Sequence, residues 1–118
     1  MTENGRAFWL TQRLWKLAAG LRVHLVPLDE IAELDQNCWF GLNSEPTCRA
    51  VAEHARKIRD ADLSFPIILS ADGRLMDGGH RIAKALISGH SEIRAVRFSM
   101  DPEPDYIVPL EQSRDGLC

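Results

Sequence analysis

The sequence predicts an α+β fold in a single domain, in which a small mixed sheet is packed by helices. Its 118 residues are enough for one hydrophobic core. Short apolar or alternating stretches, which are typical of strands, alternate with stretches that have the helical period. With 45% hydrophobic and 26% charged residues, the composition is that of an ordinary globular domain.

The N-terminal part is predicted to form a helix over residues 6–19 that ends at Gly20. Its leucines recur at helical spacing, and three aromatic residues widen the apolar surface beyond what one buried face needs. These apolar residues are Leu10, Leu14, Leu17, Leu21, Phe8, Trp9 and Trp15. The excess favours a homodimer contact through this helix. Residues 1–21 are therefore interpreted as an N-terminal helical extension of a main domain over residues 22–109.

A half-buried strand is predicted over residues 22–27, because apolar and polar side chains alternate up to Pro27. A short helix is predicted to follow over residues 28–34. It carries Glu30 and Glu33 on its outer face, where the helix dipole favours acids near the helix start.

Residues 35–47 lack a regular period and are predicted to form a long loop, and such loops are often functional. Trp39 and Phe40 in this loop either plug the core or stack on a ligand, and the core position is favoured. A helix then begins at residue 46 or 47 and ends near residue 60. Its basic cluster is either a phosphate or DNA contact or, more often for such runs, a solvated face. The cluster consists of Arg49, His54, Arg56, Lys57 and Arg59.

The apolar run over residues 65–70 predicts a central buried strand. A turn at residues 71–74 contains a glycine and leads to a return strand over residues 74–76. The remaining segments are predicted as a helix that ends at Gly89, a strand over residues 93–98, an extended stretch over residues 100–109 and a flexible tail over residues 110–118.

The stretch Asp77-Gly78-Gly79-His80-Arg81, called the 77–81 motif below, joins the return strand to the helix that follows. Its aspartate is a predicted N-cap, and its glycines permit a sharp turn and the close approach of a ligand. Its two basic residues and Lys84 stand in the first two turns, where the helix dipole is already positive. A phosphate bound at the helix start would explain both features. The alternative is an ordinary surface helix after a Gly-Gly turn.

The 77–81 motif resembles the central motif of the ParB/sulfiredoxin superfamily, in which a Gly-x-His/Arg-Arg segment opens a helix and holds nucleotide phosphates. The layout Pro-Ile-x-Leu, Asp-Gly and Asp-Gly-x-His-Arg of that family is reproduced from Pro66 onwards. The nearest form is the Asp-Gly-His-His-Arg motif of the free-serine kinase branch, from which this sequence departs at Gly79. Sulfiredoxins carry their nucleophilic cysteine at that position, so sulfinic-acid reduction is not expected here.

The resemblance covers residues 22–98 and implies a stand-alone ParB-like N-terminal domain, of the type also called a ParB-like nuclease domain, with the superfamily's fold. It implies that ATP, ADP or CTP binds with Mg²⁺. The implied nucleotide- and phosphate-binding residues are Gly78, Gly79, His80, Arg81 and Lys84. The implied catalytic residues are Asp77, His80 and Glu30, with Glu33 as the alternative to Glu30 for the base.

Three functions remain open at this point. The first is nucleotide binding with phosphoryl transfer or nucleotide hydrolysis at the 77–81 motif; a P-loop mechanism is excluded because no Walker A motif is present. The second is a non-catalytic binding or regulatory module that acts through protein or DNA contacts. The third is a DNA nuclease, which ranks last because no cluster of carboxylates for two metal ions is recognisable.

Composition limits the kinds of partner and the cellular location that are expected for this protein. The net charge of −3 does not favour general DNA binding. The three cysteines lack the close spacing of metal ligands, so no metal site is predicted in the protein itself. No apolar stretch has the length of a membrane span, and the N-terminus lacks the plan of a signal peptide. A cytoplasmic protein without a membrane contact is expected.

Overall fold

The computed structural model describes residues 6–41 and 45–108. In chain order the strands are β1 (Arg6–Phe8), β2 (His24–Pro27), β3 (Ile67–Leu69), β4 (Leu75–Asp77), β5 (Glu92–Arg97) and β6 (Tyr106–Val108). The helices are α1 (Thr11–Ala18), α2 (Cys48–Asp60) and α3 (Gly79–Ile87). The predictions for residues 1–5 and 110–118 lie outside the described residues.

The central sheet has the strand order β2-β5-β3-β4. Strands β3 and β5 run parallel, whereas β2 pairs with β5 and β3 pairs with β4 in antiparallel fashion. The predicted α+β class and small mixed sheet are therefore confirmed. A second sheet consists of β1 and β6 alone.

The prediction of one helix over residues 6–19 is wrong at its start. Residues 6–8 are extended and pair with β6, and Leu10 keeps an extended backbone before α1 begins. The backbone N–H of Leu10 donates to the Asp105 carboxylate over 2.8 Å, and the rings of Phe8 and Tyr106 stack 5.3 Å apart. Partners almost a hundred residues away along the chain thus override the local helical pattern.

Alternation along β3 divides the core between the two faces of the sheet. Ile67 and Leu69 pack with Ile82 and Ala85 of α3 on one face. Ile68 packs on the other face with Leu14 and Ala18 of α1, together with further residues of β5 and the segment after it. Helix α1 therefore contributes to the core of the sheet, and α3 covers the opposite face.

The predicted helix over residues 28–34 is divided into two 3₁₀ turns, Leu28–Glu30 and Ala32–Asp35. Helix α2 agrees with its prediction and begins after Thr47, whose hydroxyl caps the N–H of Ala50 over 3.1 Å. None of the residues of α2 is buried. In the described part of the chain, no helix has the length and apolarity needed to cross a membrane.

Candidate functional site

The turn from β4 into α3 is built on Gly78. Its φ of +126° lies in a region that L side chains rarely adopt, and a Cβ atom there would stand 2.5 Å from the Cγ2 of Ile67. Helix α3 thus begins directly against the central strand β3. The glycine is explained by this close packing of backbone on Ile67, independently of any ligand.

Asp77 does not cap α3, contrary to the prediction. It ends β4, the N-cap position belongs to Gly78, and no side chain caps the helix start. The Oδ2 atom of Asp77 instead accepts hydrogen bonds from Nη2 of Arg81 over 2.7 Å and from Nε1 of Trp15 over 2.9 Å. The first-turn N–H groups of α3 are therefore left without a side-chain acceptor, since the carboxylate that would serve them is used elsewhere.

The two long basic side chains of α3 make contacts within the protein. Arg81 donates to the backbone oxygen of Pro66 over 3.2 Å in addition to its ion pair with Asp77. Lys84 donates to the backbone oxygens of Arg59 and Ala61, over 2.8 Å and 2.6 Å. Since these two oxygens lie at the end of α2, Lys84 satisfies carbonyl groups that the helix itself cannot pair.

His80 joins a cluster of rings that the sequence did not predict. Its Nε2 atom lies 2.9 Å from Nδ1 of His54 on α2, and the two ring centres are 5.2 Å apart with planes 15° apart. The two imidazole rings therefore meet edge to edge, because their nearest nitrogens are much closer than their ring centres. Trp39 stacks on both imidazoles with its ring centre 4.8 Å from each, and Phe40 meets His54 edge-on. One imidazole donates an N–H hydrogen bond to the other, and the indole ring of Trp39 stacks on both.

The surroundings of both imidazoles disfavour a positive charge. Burial lowers the pKa of His80 from its usual value, and the neighbouring His54, Lys57 and Arg81 lower it further, while Asp77 opposes them. Burial and Lys57 likewise lower the pKa of His54, against a smaller opposing effect of Glu53. Both rings are therefore neutral near pH 7, and the accepting nitrogen keeps its lone pair for the hydrogen bond.

A cavity of about 1130 Å³ opens beside the start of α3 and is called the site cavity. Its lining is mostly apolar. Trp15 of α1 and Phe65 before β3 contribute aromatic surface to it, and residues 78–81 line it at the start of α3. Arg56 and Lys57 of α2 also line it, and neither forms an ion pair or a hydrogen bond with any described residue. The carboxylates of Asp60 and Asp62 line it as well, and the pKa of Asp60 is lowered first by its hydrogen bond from Arg59 and further by the charge of Arg56.

The two candidate bases near the start of the domain occupy different surroundings. Glu30 is exposed and has no hydrogen bond or ion pair among residues 6–41 and 45–108. Glu33 is buried, and its Oε1 atom accepts the backbone N–H of Leu75 over 3.2 Å. Glu33 thus holds β4 in place, and neither glutamate joins the contacts of Asp77 and His80.

The structure therefore brings Asp77, Gly78, Gly79, His80 and Arg81 together and directs Lys84 to the end of α2. Within the described ranges, no group of three or more histidine, cysteine, aspartate or glutamate side chains could hold a metal ion. Trp15 and His54 were missed as members of this region. The only signal for Trp15 was the apolar excess of the first helix, and His54 was counted only with the basic cluster of α2.

In comparisons with protein-family models, curated proteins and solved structures, none matches this chain.

Proposed function

We propose that this chain is a ParB-like protein that binds the phosphate groups of a nucleotide at the start of α3. One observation carries this proposal: the start of α3 is built of glycines, lacks a side-chain cap and borders the site cavity. Unpaired N–H groups and the positive end of the helix dipole together attract an anion. The cavity is much larger than a phosphate ion requires, which favours a larger molecule that carries one.

The positive charge for these phosphates comes mainly from α2 in this proposal. Arg81 already neutralises Asp77, and Lys84 is held by backbone oxygens, so neither is free to pair with an anion. Arg56 and Lys57 line the same cavity, and neither has a hydrogen bond or ion pair with a described residue. A guanidinium and an ammonium group are the usual protein partners of phosphate oxygens. Mg²⁺ accompanies the nucleotide as the counter-ion of its phosphates.

Phosphoryl transfer or nucleotide hydrolysis is the second step of the proposal. Transfer requires a group that accepts the proton of the nucleophile. Asp77 stands beside the start of α3, and its Oδ1 atom accepts no hydrogen bond from a described residue while Oδ2 is held by Trp15 and Arg81. Glu30 is the alternative from the family resemblance, and it would have to be brought to the site from its exposed position.

Calorimetric titration with ATP, ADP and CTP, each with and without Mg²⁺, tests the binding step. We expect saturable binding of at least one nucleotide. The double variant Arg56→Ala/Lys57→Ala should weaken it by at least about tenfold, because charge-assisted hydrogen bonds are lost. Arg49→Ala removes an exposed positive charge from the same helix outside the cavity and should leave binding within about twofold.

Absence of binding at millimolar nucleotide would refute the proposed site. Equal weakening by Arg49→Ala and by the double variant would mean that only the general charge of α2 matters. Release of inorganic phosphate, or labelling of an acceptor, would separate an enzyme from a non-catalytic nucleotide-binding module.

A second candidate is a protein-interaction module, and the surface of α1 favours it. Leu10 is 57% exposed and Leu17 is 44% exposed, although leucines of a monomer are more often buried. A second copy of this chain is the partner predicted from the sequence. Sedimentation velocity of the parent and of Leu10→Glu/Leu17→Glu would test it, since a homodimer through α1 should dissociate in the variant.

A further inference from the structure

Resting on the proposed phosphate site, we propose that the apolar part of the site cavity holds the base of the nucleotide, between Trp15 and Phe65. The site would then recognise both ends of its ligand. The phosphates lie at the start of α3 and beside α2, and the flat ring of the base lies against two aromatic side chains. Neither aromatic residue belongs to the 77–81 motif.

The exposure of these two aromatic side chains is the first support. Trp15 is 55% exposed and Phe65 is 62% exposed, and both line the same cavity. Exposed aromatic side chains that line one cavity together are typical of ligand and interaction sites. Val23, which is 50% exposed, extends the same apolar wall.

The hydrogen bond of Trp15 is the second support, because it fixes where the indole stands relative to the phosphate end. Its Nε1 atom donates to the same Asp77 oxygen that accepts from Arg81. One carboxylate oxygen therefore ties the aromatic wall to the first turn of α3. An aromatic side chain held in this way loses little freedom when a ring stacks on it, so more of the stacking energy appears as affinity.

The charge pattern of the cavity identifies the class of ligand. Its lining combines the uncapped start of α3, Arg56 and Lys57 with a larger apolar part. Three carboxylates also line the cavity, of which Asp77 is paired with Arg81 and Asp60 with Arg59, and the third is that of Asp62. A molecule that matches has an anionic group joined to a flat, weakly polar ring. A nucleotide has this form, and every base has a face that stacks on an aromatic side chain. A simple inorganic anion would leave the apolar part of the lining uncovered.

The experiment compares two probes, ATP and inorganic tripolyphosphate, both with Mg²⁺, on the full chain. We expect Trp15→Ala and Phe65→Ala each to weaken ATP binding by about tenfold to a hundredfold, the range found when a stacking side chain is removed. Binding of tripolyphosphate should stay within about twofold, since it has no ring. Leu17→Ala is the matched control, because it truncates an exposed apolar residue of α1 outside the cavity lining.

Trp15→Phe separates stacking from the hydrogen bond to Asp77. It keeps an aromatic ring and removes the N–H donor, so it should retain most of the ATP affinity that Trp15→Ala loses. The tryptophan fluorescence of the parent should change on addition of ATP and not of tripolyphosphate, and this change should be absent in Trp15→Phe. Circular dichroism spectra establish that each variant is folded before it is titrated.

The outcomes distinguish this inference from the function on which it rests. If both probes bind and neither alanine variant weakens ATP, the base lies elsewhere; the inference is overturned and the phosphate site stands. If Trp15→Ala weakens both probes equally, Trp15 acts through Asp77 on the phosphate end, which also overturns stacking. If the parent binds neither probe, the proposed function fails and the inference fails with it.

Discussion

The basic residues of α3 and those of α2 stand around the same cavity and are used in opposite ways. On α3, Arg81 is paired with Asp77 and with a backbone oxygen, and Lys84 holds the end of α2. On α2, Arg56 and Lys57 line the cavity and form no hydrogen bond or ion pair with a described residue. The helix that carries the motif is thus fixed by its own charges, while its neighbour keeps charges available.

This difference separates stability from binding. A side chain that satisfies buried or backbone groups lowers the free energy of the folded state, and its removal leaves those groups unpaired. A side chain that is exposed and unpaired contributes little to stability and is free to meet a ligand. We therefore expect substitutions in the first turns of α3 to act first on folding, and substitutions in Arg56 and Lys57 to act on nucleotide binding alone.

Gly78→Ala should have the largest effect on stability. Its Cβ would meet Ile67 at 2.5 Å while the backbone keeps a φ of +126°, and the two costs add to about 2–6 kcal/mol of unfolding free energy. Urea denaturation followed by circular dichroism measures the loss. Gly20→Ala is the control, because it has open space and no left-handed φ, and should change stability by less than about 1 kcal/mol. Equal effects of the two variants would contradict the packing described here.

Arg81→Ala comes next. It leaves the partly buried Asp77 without its ion pair and the oxygen of Pro66 without a donor, so we expect a loss of about 2 kcal/mol, the value of a hydrogen bond to a charged group. Urea denaturation of Asp77→Ala, Arg81→Ala and the double variant completes a cycle. The sum of the losses in the two single variants should exceed the loss in the double variant. If the losses simply added, the ion pair would contribute nothing to stability.

Lys84→Met should cost about 1 kcal/mol of stability, because the backbone oxygens of Arg59 and Ala61 lose their donor while the aliphatic stem is kept. Lys57→Met is the matched control on α2 and should leave the unfolding midpoint unchanged. The effects on nucleotide affinity should be the opposite of those on stability: Lys57→Met should weaken binding, and Lys84→Met should leave it intact. If Lys84→Met abolished nucleotide binding at unchanged stability, the role implied by the family resemblance would be correct and the distinction between the helices wrong.

Local patterns predicted much of the fold. The helical period predicted α2, the apolar run predicted the buried strand β3, and Gly73, with a φ of +86°, supplies the predicted turn before β4. These features depend on residues that are close in sequence, where propensity and periodicity carry information.

Contacts between distant residues were the part that could not be predicted. The pairing of β1 with β6, the bond of Trp15 to Asp77 across 62 residues and the pair His54–His80 across 26 residues leave no periodic signal in a single sequence. For the same reason Asp77 was interpreted as a helix cap. The backbone N–H groups of the next helical turn are the donors expected for this carboxylate, and it accepts instead from Trp15, 62 residues away, and from Arg81, four residues further on.

The smallest expected effect concerns the imidazole pair and depends on pH. Burial lowers the pKa of both His54 and His80 below the ordinary value of 6.5, so the unfolded chain binds more protons than the folded one as the pH falls through 6.5. The contribution of the pair to stability is therefore complete above that pH. It declines as the pH falls towards the lower pKa values of the folded state, and the bond between the rings is lost once both rings are protonated.

The charged groups around the pair determine how this prediction is tested. Lys57 and Arg81 favour neutral imidazoles, and Glu53 and Asp77 favour charged ones, but carboxylates elsewhere also titrate in acid. The informative quantity is thus the difference in unfolding free energy between parent and His80→Asn, measured from pH 7.5 to pH 5. It should shrink as the pH falls, because only the parent loses the pair. His90→Asn, an exposed control, should give a constant difference. A constant difference for His80→Asn as well would mean that the pair adds no pH-dependent stability.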